Sequence, residues 1–486
     1  MLNSKKNKMK RIVYILTLLV CQAAVLTSCD GDFEEVNKNP NDPSTVPSSL
    51  LLAGTLRSTA DQMQSTFLAG ESASCWVQHL GKPVYNDSEL YLPRTGSIQS
   101  LWDVLYSSVI KDADIMQGLA EEEGNSNMQG VAMVIKAYAF HVLTDAFGNI
   151  PMTEAGMADQ GNTTPVYDDS KAVYTQILAM LDQAIAALNG TGTIDSSQDL
   201  IYGGDYMNWK RYAASLKFRV LMRASSDNSF NVGPQLQSLV NSGLLFSSND
   251  QEAKMAYLSA SPNANPYYEG LIDGGRDNEW CLGEELVNFM LDSNDPRLPV
   301  YAQEVGGNGS GNGYVGKPAG IRDIGSSFYG DSKNVSLIGL KYLEAEEPCY
   351  FMSHAQLKLM MAEAAERNLI SGDPATYYAE GILASFETNG VEQGDFALGY
   401  AGGQTGLQQI AEQSWVALYM QGYEAFAEYR RTGYPELPLA IDAEEPSIPS
   451  RLTYPLNEQS LNNANYTSAV SAQGADVLTT PLWWTK

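Results

Sequence analysis

The sequence predicts an all-α fold in which amphipathic helices pack in pairs. Apolar residues recur at three- and four-residue intervals over long windows, which is the spacing of one face of an α-helix. Short segments rich in glycine, proline and asparagine separate these windows, and alanines on the helices allow close helix approach. Helix-turn-helix repeats of the tetratricopeptide kind pack in this way, although the repeat motif itself is not cleanly present.

The helical pattern is clearest in five windows. In chain order they are 131–142, 173–188, 209–220, 357–365 and 415–426. Aromatic residues on the predicted helices are expected in the core, among them Trp102, Tyr138, Tyr174, Trp209 and Trp415. Between about 240 and 345 the helical period fades, and glycine, asparagine, serine and tyrosine dominate. This middle region is therefore predicted to be rich in loops, which commonly carry binding residues on a rigid scaffold.

Residues 1–28 have the features of a lipoprotein signal peptide. Five basic residues precede an apolar stretch at 12–20 that is too short to span a bilayer. The next feature is Leu-Thr-Ser-Cys ending at Cys29, which matches the lipoprotein cleavage box. Cys29 is therefore predicted to be acylated and to hold the mature chain at a membrane. The alternative is an ordinary signal peptide with an incidental cysteine.

The mature chain is predicted to be a short tether followed by one body. Residues 29–48 contain several prolines and asparagines and are too rich in helix breakers to form a helix. Residues 49–486 are long enough for two or three domains or for one large helical body, and a single helical body is what the family resemblance described below implies. The acidic run at 30–35 resembles the surface-export signal of Bacteroidetes lipoproteins. The protein is therefore expected at the outer membrane, lipid-anchored and facing the cell exterior.

The charge of the chain argues against several classes of partner. The sequence has 30 basic and 57 acidic residues, a formal net charge of −27. Removing residues 1–28 takes away five positive charges and no negative ones, which makes the charge −32. Polyphosphate and anionic head groups would repel such a body, so no nucleic acid partner is expected. Attachment of the protein to the membrane is therefore expected to come from the lipid on Cys29 and not from a basic surface.

Cysteine and histidine usage gives no support for a zinc site. The chain has three histidines and no CxxC pair. Three cysteines remain beyond Cys29, which allows at most one disulfide and favours buried thiols: Cys75, Cys281 and Cys349. Asp292, Asn294 and Asp295 offer oxygen ligands, but they lack the turn glycine and distal glutamate of a helix-loop-helix calcium site. No cofactor is expected, and a structural calcium ion has no support in the sequence.

The sequence contains no catalytic signature. The segment 311–318 satisfies both GxxxxGK and GxGxxG, but Pro318 stands where a phosphate loop needs Ser or Thr, which favours a flexible glycine loop. Neither HExxH nor GxSxG occurs. The paired carboxylates of a glycoside hydrolase cannot be found from sequence, because their separation is a spatial quantity. The protein is predicted not to be an enzyme, with a surface glycoside hydrolase as a less favoured alternative.

Aromatic residues in irregular segments are the more useful signal for binding. The apolar C–H face of a sugar stacks on a flat ring, while polar side chains hydrogen-bond its hydroxyls. A single ring is nevertheless more often a packing residue than a ligand platform. The candidate ligand-binding residues lie in two polar stretches of the chain: Tyr85, Tyr91, Tyr267, Tyr268, Asn278 and Trp280.

Many segments together resemble the SusD/RagB family of Bacteroidetes outer-membrane nutrient-binding lipoproteins, particularly its SusD-like branch. Their order and spacing carry the resemblance, which spans nearly the whole mature chain: 33–41, 143–151, 165–168, 202–205, 215–219, 361–367, 378–385, 424–435, 451–455 and 482–484. One departure is Gln356, where relatives usually place a glutamate. This change is expected to alter a local hydrogen bond or ion pair.

The shared motifs make physical sense as scaffold. Asp145 is expected to accept backbone amides where its helix ends, Gly148 to supply a positive φ, and Pro151 to prevent the helix from resuming. Arg430 and Arg431 lie near a predicted helix C-terminus, where acidic residues one turn earlier can pair with them. Scaffold motifs identify a family without locating its ligand.

The resemblance implies an all-α body of tetratricopeptide-like helix pairs with a loop-rich insert region. It also implies a non-enzymatic capture role. The protein is expected to bind oligosaccharides at the surface and deliver them, like a hinged lid, to a SusC-like TonB-dependent outer-membrane transporter. Capture of oligopeptides by the same arrangement is the alternative. Neither the ligand's identity nor the cognate transporter follows from the resemblance.

Overall fold

The computed structural model describes residues 6, 8–10 and 46–486. The chain separates into two units, Met1–Pro47 and Ser48–Lys486, and the second contains the fold. Cys29 and most of the predicted tether lie outside the described residues. The proposed division into signal peptide, tether and body therefore stays a prediction.

The body is built largely from α-helices, as predicted. In chain order they are α1 (Leu52–Met63), α2 (Thr95–Val104), α3 (Lys111–Glu122), α4 (Ser126–Phe147), α5 (Ser170–Ala187), α6 (Tyr206–Arg223), α7 (Val232–Ser242), α8 (Glu284–Asp292), α9 (Leu298–Tyr301), α10 (His354–Glu366), α11 (Pro374–Asn389), α12 (Gly403–Ala417), α13 (Gly422–Thr432), α14 (Leu456–Leu461) and α15 (Asn463–Gln473). Three π-helical segments lie between these α-helices, at Thr66–Ser74, Leu105–Ile110 and Tyr268–Asp273.

Two small antiparallel sheets tie distant parts of the chain together. Strand β1 (Leu80–Gly81) pairs with β3 (Cys281–Leu282), and β2 (Ala253–Met255) pairs with β4 (Cys349–Met352). The first sheet joins the segment after α1 to the loop-rich middle region. The second brings the two ends of that region together in front of α10.

Successive helices pack as the amphipathic pattern predicts. The most extensive contacts are between α10 and α11, α4 and α5, and α3 and α4, while α12 also packs on α10. Acidic residues cap the starts of several helices, because their side chains accept the amides that have no partner within the helix. Asp169 caps α5, Asp205 caps α6 and Asp373 caps α11 in this way.

Helix α4 is the central helix of the body. It is long and apolar enough to cross a membrane by length and composition, but 89% of its apolar window is buried inside the protein, as in a core helix. The five aromatic residues expected in the core are buried, as predicted: Trp102, Tyr138, Tyr174, Trp209 and Trp415. Cys75, Cys281 and Cys349 are free and buried, which confirms the expected state of the thiols.

The end of α4 shows one correct and one wrong expectation. Gly148 follows the helix with φ +87° and ψ −113°, a conformation that requires glycine. Asp145, however, does not accept backbone amides. Its carboxylate accepts the hydroxyl proton of Tyr174 and faces Arg223, because the last turn of α4 is buried and the side chain points into the interior.

Gly148→Ala is expected to lower the free energy of unfolding by about 1–3 kcal/mol, because φ +87° strains any residue with a Cβ. The added Cβ would also lie 2.1 Å from Gln473 Oε1, whose amide group is already bonded to the backbone. Chemical denaturation would measure the change. Gly118→Ala is the matched control, since this exposed helical position has open space around it and alanine should stabilise it by about 0.5–1 kcal/mol. Equal effects of the two substitutions would contradict the prediction.

The middle region contains short turns, α8, α9 and extended segments, in agreement with a loop-rich insert. Two sequence motifs there are structural. Lys317 of the glycine segment is buried and pairs with Glu89 (Nζ to Oε2, 2.5 Å), so its charge is not available to a phosphate. Asp295, one of the oxygen ligands considered for calcium, is buried in a two-point ion pair with Arg297.

A buried network of ion pairs joins α4, α6, α10 and α13. Arg223, which is fully buried, lies at its centre and faces three carboxylates. Its Nη2 donates to Glu424 Oε1 (2.6 Å), its Nη1 lies 3.0 Å from Glu428 Oε1, and its Nε lies 3.3 Å from Asp145 Oδ2. The network therefore links these helices through charges that are largely buried.

The arginines at the end of α13 have different partners. Arg431 donates to Glu428 (Nη2 to Oε2, 2.7 Å) and to Glu363 (Nη1 to Oε1, 2.8 Å), which confirms the expected pairing with an acidic residue one turn earlier. Arg430 instead donates to three backbone carbonyls, those of Phe426, Asp145 and Ser450. Gln356 joins the same network.

The side-chain amide of Gln356 donates to Glu424 (Nε2 to Oε1, 2.6 Å). A glutamate at this position would place a second carboxylate beside Glu424. The local hydrogen bond expected to depend on Gln356 is therefore the one to Glu424.

Candidate functional site

The two polar stretches that supplied the candidate residues meet on one side of the body. The π-helical segment Thr66–Ser74 packs against the segment that contains Tyr267 and Trp280. A Cβ on Gly70 would lie 2.8 Å from Tyr267 Oη and 2.9 Å from the Trp280 ring, so glycine is required for this close approach. Residues almost 200 positions apart in the chain thus form one surface.

Three of the six predicted residues are accessible to solvent. Tyr85 is 63% exposed, Asn278 is exposed and Tyr268 is half-buried. We call the surface formed by Tyr85 with Phe67, Arg94 and Arg276 the aromatic–arginine surface. Asn278 follows Arg276 by two residues in the chain.

The expectation that the other three rings are exposed is wrong. Tyr91, Tyr267 and Trp280 are buried. The Tyr91 hydroxyl accepts the amide hydrogen of Ala440 (3.1 Å), and the Trp280 ring lies against Nζ of Lys82 (4.3 Å to the ring centroid). These rings support the surface from beneath. Whether any of the six residues contacts a ligand stays a prediction.

Two buried ion pairs fix the loop that carries Tyr85. Lys82 Nζ bonds Glu71 Oε1 (2.5 Å), and Lys317 Nζ bonds Glu89 Oε2 (2.5 Å). Glu89 also accepts the amides of Lys82 and Gly320. Each charge is therefore compensated by a partner, as buried ions require. The loop is held at both ends by groups that lie below the surface.

The backbone of this loop adopts conformations that non-glycine residues rarely take. Tyr85 has φ +55° and Tyr91 has φ +67°. Hydrogen bonds from neighbouring side chains hold the strained backbone: Asn86 Nδ2 donates to Ile321 O (2.6 Å), and Trp76 Nε1 donates to Ser88 O (2.8 Å). Strain that the surroundings maintain is often found at functional sites. The Tyr85 ring is therefore presented by a loop that is already ordered.

Arg94 and Arg276 border the exposed ring. Arg94 donates to buried Glu71 (Nε to Oε2, 2.7 Å), and its guanidinium lies 5.4 Å from the centroid of Phe67. Arg276 donates to Glu279 through Nε and Nη2 (2.9 and 2.6 Å). The hydrogen bond with Glu71 raises the pKa of Arg94, and that with Glu279 raises the pKa of Arg276, to which the nearby Tyr85 also contributes.

The sequence did not indicate Phe67, Arg94 or Arg276 as candidates. Phe67 falls in a π-helical segment and is 44% exposed, and the period of an α-helix does not identify the exposed face of such a segment. Arg276 lies two residues before Asn278 in the chain. This proximity to a predicted binding residue is the signal that could have identified Arg276. Nothing in the sequence places Arg94 beside Phe67, because the contact depends on the π-helical turn.

The interior offers no comparable room. A cavity of about 40 Å³ lies between Ser72, His141 and Tyr423, with space for a few water molecules but not for a sugar ring. A roomier open groove of about 380 Å³ lies beside the C-terminus, between Tyr429 and Ile448. It lacks the exposed ring and the preformed donors of the aromatic–arginine surface.

No group of three or more histidine, cysteine, aspartate or glutamate side chains is placed to hold a metal ion among the residues that the structure describes. The three histidines illustrate this. His79, His141 and His354 are buried in separate surroundings, against aromatic rings, Asp145 and Asn249 respectively.

Comparison with known proteins identifies the family. The family model described as "Starch-binding associating with outer membrane", a SusD-like family, matches residues 40–455. The chain belongs to this SusD-like family. The resemblance expected from the sequence motifs is thereby confirmed. No curated protein sequence matches the chain.

Solved structures of SusD-like proteins have the same fold. A chitin-binding protein shares 26% of its sequence with this SusD-like chain and superposes with a TM-score of 0.79, covering 90% of this chain and 99% of its own. A chitin-binding SusD homologue from Flavobacterium johnsoniae has 23% identity and a TM-score of 0.77, with coverages of 89% and 98%. A SusD homologue from Bacteroides uniformis has 22% identity and a TM-score of 0.75, with coverages of 88% and 99%.

Proposed function

We propose that this SusD-like protein captures oligosaccharides at the aromatic–arginine surface without transforming them. The observation that carries the proposal is the exposed ring of Tyr85 on a loop fixed by buried ion pairs. A rigid ring loses little conformational entropy when a sugar stacks on it. The neighbouring arginines and Asn278 supply donors for sugar hydroxyls.

Two findings support a saccharide ligand. The family description names starch binding, and the similar structure at 26% identity is a chitin-binding protein. An open surface also suits a chain of sugar units, since it allows several units to lie outside the contact. Binding of this kind needs no catalytic group, in agreement with the absence of a catalytic signature in the sequence.

The protein is further proposed to act at the outside of the outer membrane. Cys29 would carry the lipid anchor, and the tether would hold the body above the membrane. From there it would deliver its ligand to a SusC-like TonB-dependent transporter. The family description, which includes association with the outer membrane, supports this location.

Titration of the purified body with a panel of oligosaccharides and oligopeptides tests the proposal. Tyr85→Ala is expected to weaken saccharide binding by about 1–3 kcal/mol, because the stacking face is removed. Tyr85→Phe keeps the ring and should bind within about a factor of three of the original protein. Isothermal titration calorimetry would measure both.

Leu461→Ala is the matched control, because this exposed apolar residue lies on α14 and its loss should leave binding unchanged. Tight peptide binding with no response to any sugar would show that the peptide alternative is right. Release of shorter products from any glycan would show an enzyme. Unchanged saccharide affinity of a folded Tyr85→Ala variant would remove Tyr85 from the site.

A further inference from the structure

We infer that the aromatic–arginine surface selects uncharged saccharides and discriminates against anionic ones. The inference rests on the proposed function and specifies its substrate class. It depends on how the two arginines of the surface are paired and on the charges that surround them.

One edge of the Arg94 guanidinium is paired with Glu71, and the other edge is not. Its Nε and Nη2 face Glu71, at 2.7 and 3.4 Å from the two carboxylate oxygens. Within residues 46–486, Nη1 of Arg94 makes no hydrogen bond, and about half of the side chain is exposed. The buried carboxylate, which also pairs with Lys82, fixes the orientation of Arg94, while one edge of the guanidinium remains available to a ligand.

Arg276 is arranged in the same way. Its Nε and Nη2 both donate to Glu279 Oε2, its side chain is 41% exposed, and its Nη1 has no partner in the described part of the chain. The two arginines thus each present an oriented donor edge on a guanidinium that is already in a salt bridge. Such a donor suits a neutral acceptor, namely a sugar hydroxyl or an amide carbonyl.

The charges around the surface do not favour an anion. The cations at or just beneath it are Arg94, Arg276, Lys82 and Lys317, and the anions are Glu71, Glu89, Glu279, Asp87 and Asp277. The anions exceed the cations by one, and the whole chain carries −27. Asp87 and Asp277 are exposed and without a salt bridge among the described residues. A carboxylate or sulfate on the ligand would meet net negative charge and would compete with Glu71 or Glu279 for the same guanidinium.

The test compares sugars that differ only in charge. The probes are maltohexaose, cellohexaose, mannohexaose and N-acetylchitohexaose, each with a form carboxylated at C6. Every neutral probe that binds is expected to bind at least 10-fold more tightly than its carboxylated form. Its affinity should change less than about 2-fold between 20 and 300 mM NaCl, because no net ion pair forms with the ligand.

Variants separate the local charge from the charge of the whole chain. Asp87→Asn with Asp277→Asn should strengthen binding of the carboxylated probes several-fold and leave the neutral probes unchanged. Glu121→Gln with Glu122→Gln changes the net charge equally on exposed positions of α3 and should affect neither. Arg94→Gln, which shortens the donor, should weaken neutral binding about 10-fold.

The outcomes distinguish the inference from the function on which it rests. Carboxylated probes that bind as tightly as neutral ones, or more tightly, overturn the inference while the capture function stands. The same holds if the neutral affinity falls steeply with salt. Binding of no saccharide of either kind to the folded protein overturns the proposed function, and the inference with it.

Discussion

Arg223→Met is expected to lower the free energy of unfolding by about 3–5 kcal/mol, because it removes the central cation of the buried network and leaves Asp145 without a salt bridge to an arginine. Burial alone would lower the pKa of Arg223, but Glu424, Asp145 and Glu428 raise it well above the usual value for arginine. The guanidinium is therefore charged and holds these three groups together. Methionine fills a similar volume, so the loss reports the missing charge rather than a large cavity.

Urea denaturation followed by circular dichroism would measure this change. Arg322→Met is the matched control, since Arg322 pairs with Glu444 at the surface and both side chains are about half exposed. A surface pair of this kind contributes about 0–1 kcal/mol. Arg223→Lys should fall between the two, because lysine keeps a charge but cannot contact three carboxylates at once. A loss below 1 kcal/mol for Arg223→Met would contradict the role of the network.

Acidification from pH 6.5 to pH 5 is expected to destabilise the protein strongly, because all three of its histidines are buried in the neutral form. Burial lowers the pKa of His79 to about 3 and that of His354 to about 4. Burial, with help from Arg219 and Arg223, lowers the pKa of His141 well below its usual value. In the unfolded chain each would titrate near 6.5.

The sign of the effect follows from proton uptake. Below pH 6.5 the unfolded chain binds protons that the folded protein does not, so stability is present above this pH and is lost as the pH falls toward the folded pKa values. Each histidine contributes a slope of about 1.4 kcal/mol per pH unit, or about 4 kcal/mol per unit for three. Denaturation curves at several pH values would measure the slope.

Removing one histidine should remove one third of that slope. His354→Gln is the useful variant, because His354 is less deeply buried and its Nδ1 lies 3.1 Å from the side-chain oxygen of Asn249, a contact that an amide can replace. Glu363, whose pKa lies near 2 because Arg431 and Arg367 outweigh its burial, adds a further loss only below about pH 4.5. A slope that His354→Gln leaves unchanged would show that His354 is accessible to protons in the folded protein.

Much of the fold follows from the sequence, because helical periodicity and burial are local properties. The windows around Tyr138, Tyr174 and Trp209 each correspond to a helix with the expected buried face. The end of α4 at Gly148 also follows, since only glycine adopts that backbone readily. The contacts of the Asp145 side chain could not be predicted, because its partner Arg223 lies on another helix.

The candidate site was only partly predictable, because exposure is not a local property. Trp280 and Tyr85 stand in similarly polar, irregular segments, yet one ring is covered by Lys82 and Gly70 and the other is open to solvent. The difference arises where the Thr66–Ser74 segment crosses the chain near residue 280. A π-helical turn leaves no reliable period in the sequence, so neither this crossing nor the exposure of Phe67 could be derived.

The ion pairs beneath Tyr85 have a kinetic consequence. Glu71, Lys82, Glu89 and Lys317 fix the Tyr85 loop when the protein folds. In the proposed capture function, a saccharide therefore binds a preformed surface, and no slow rearrangement of the loop is needed. Attachment and departure should both be rapid, which suits a carrier that must soon release what it holds.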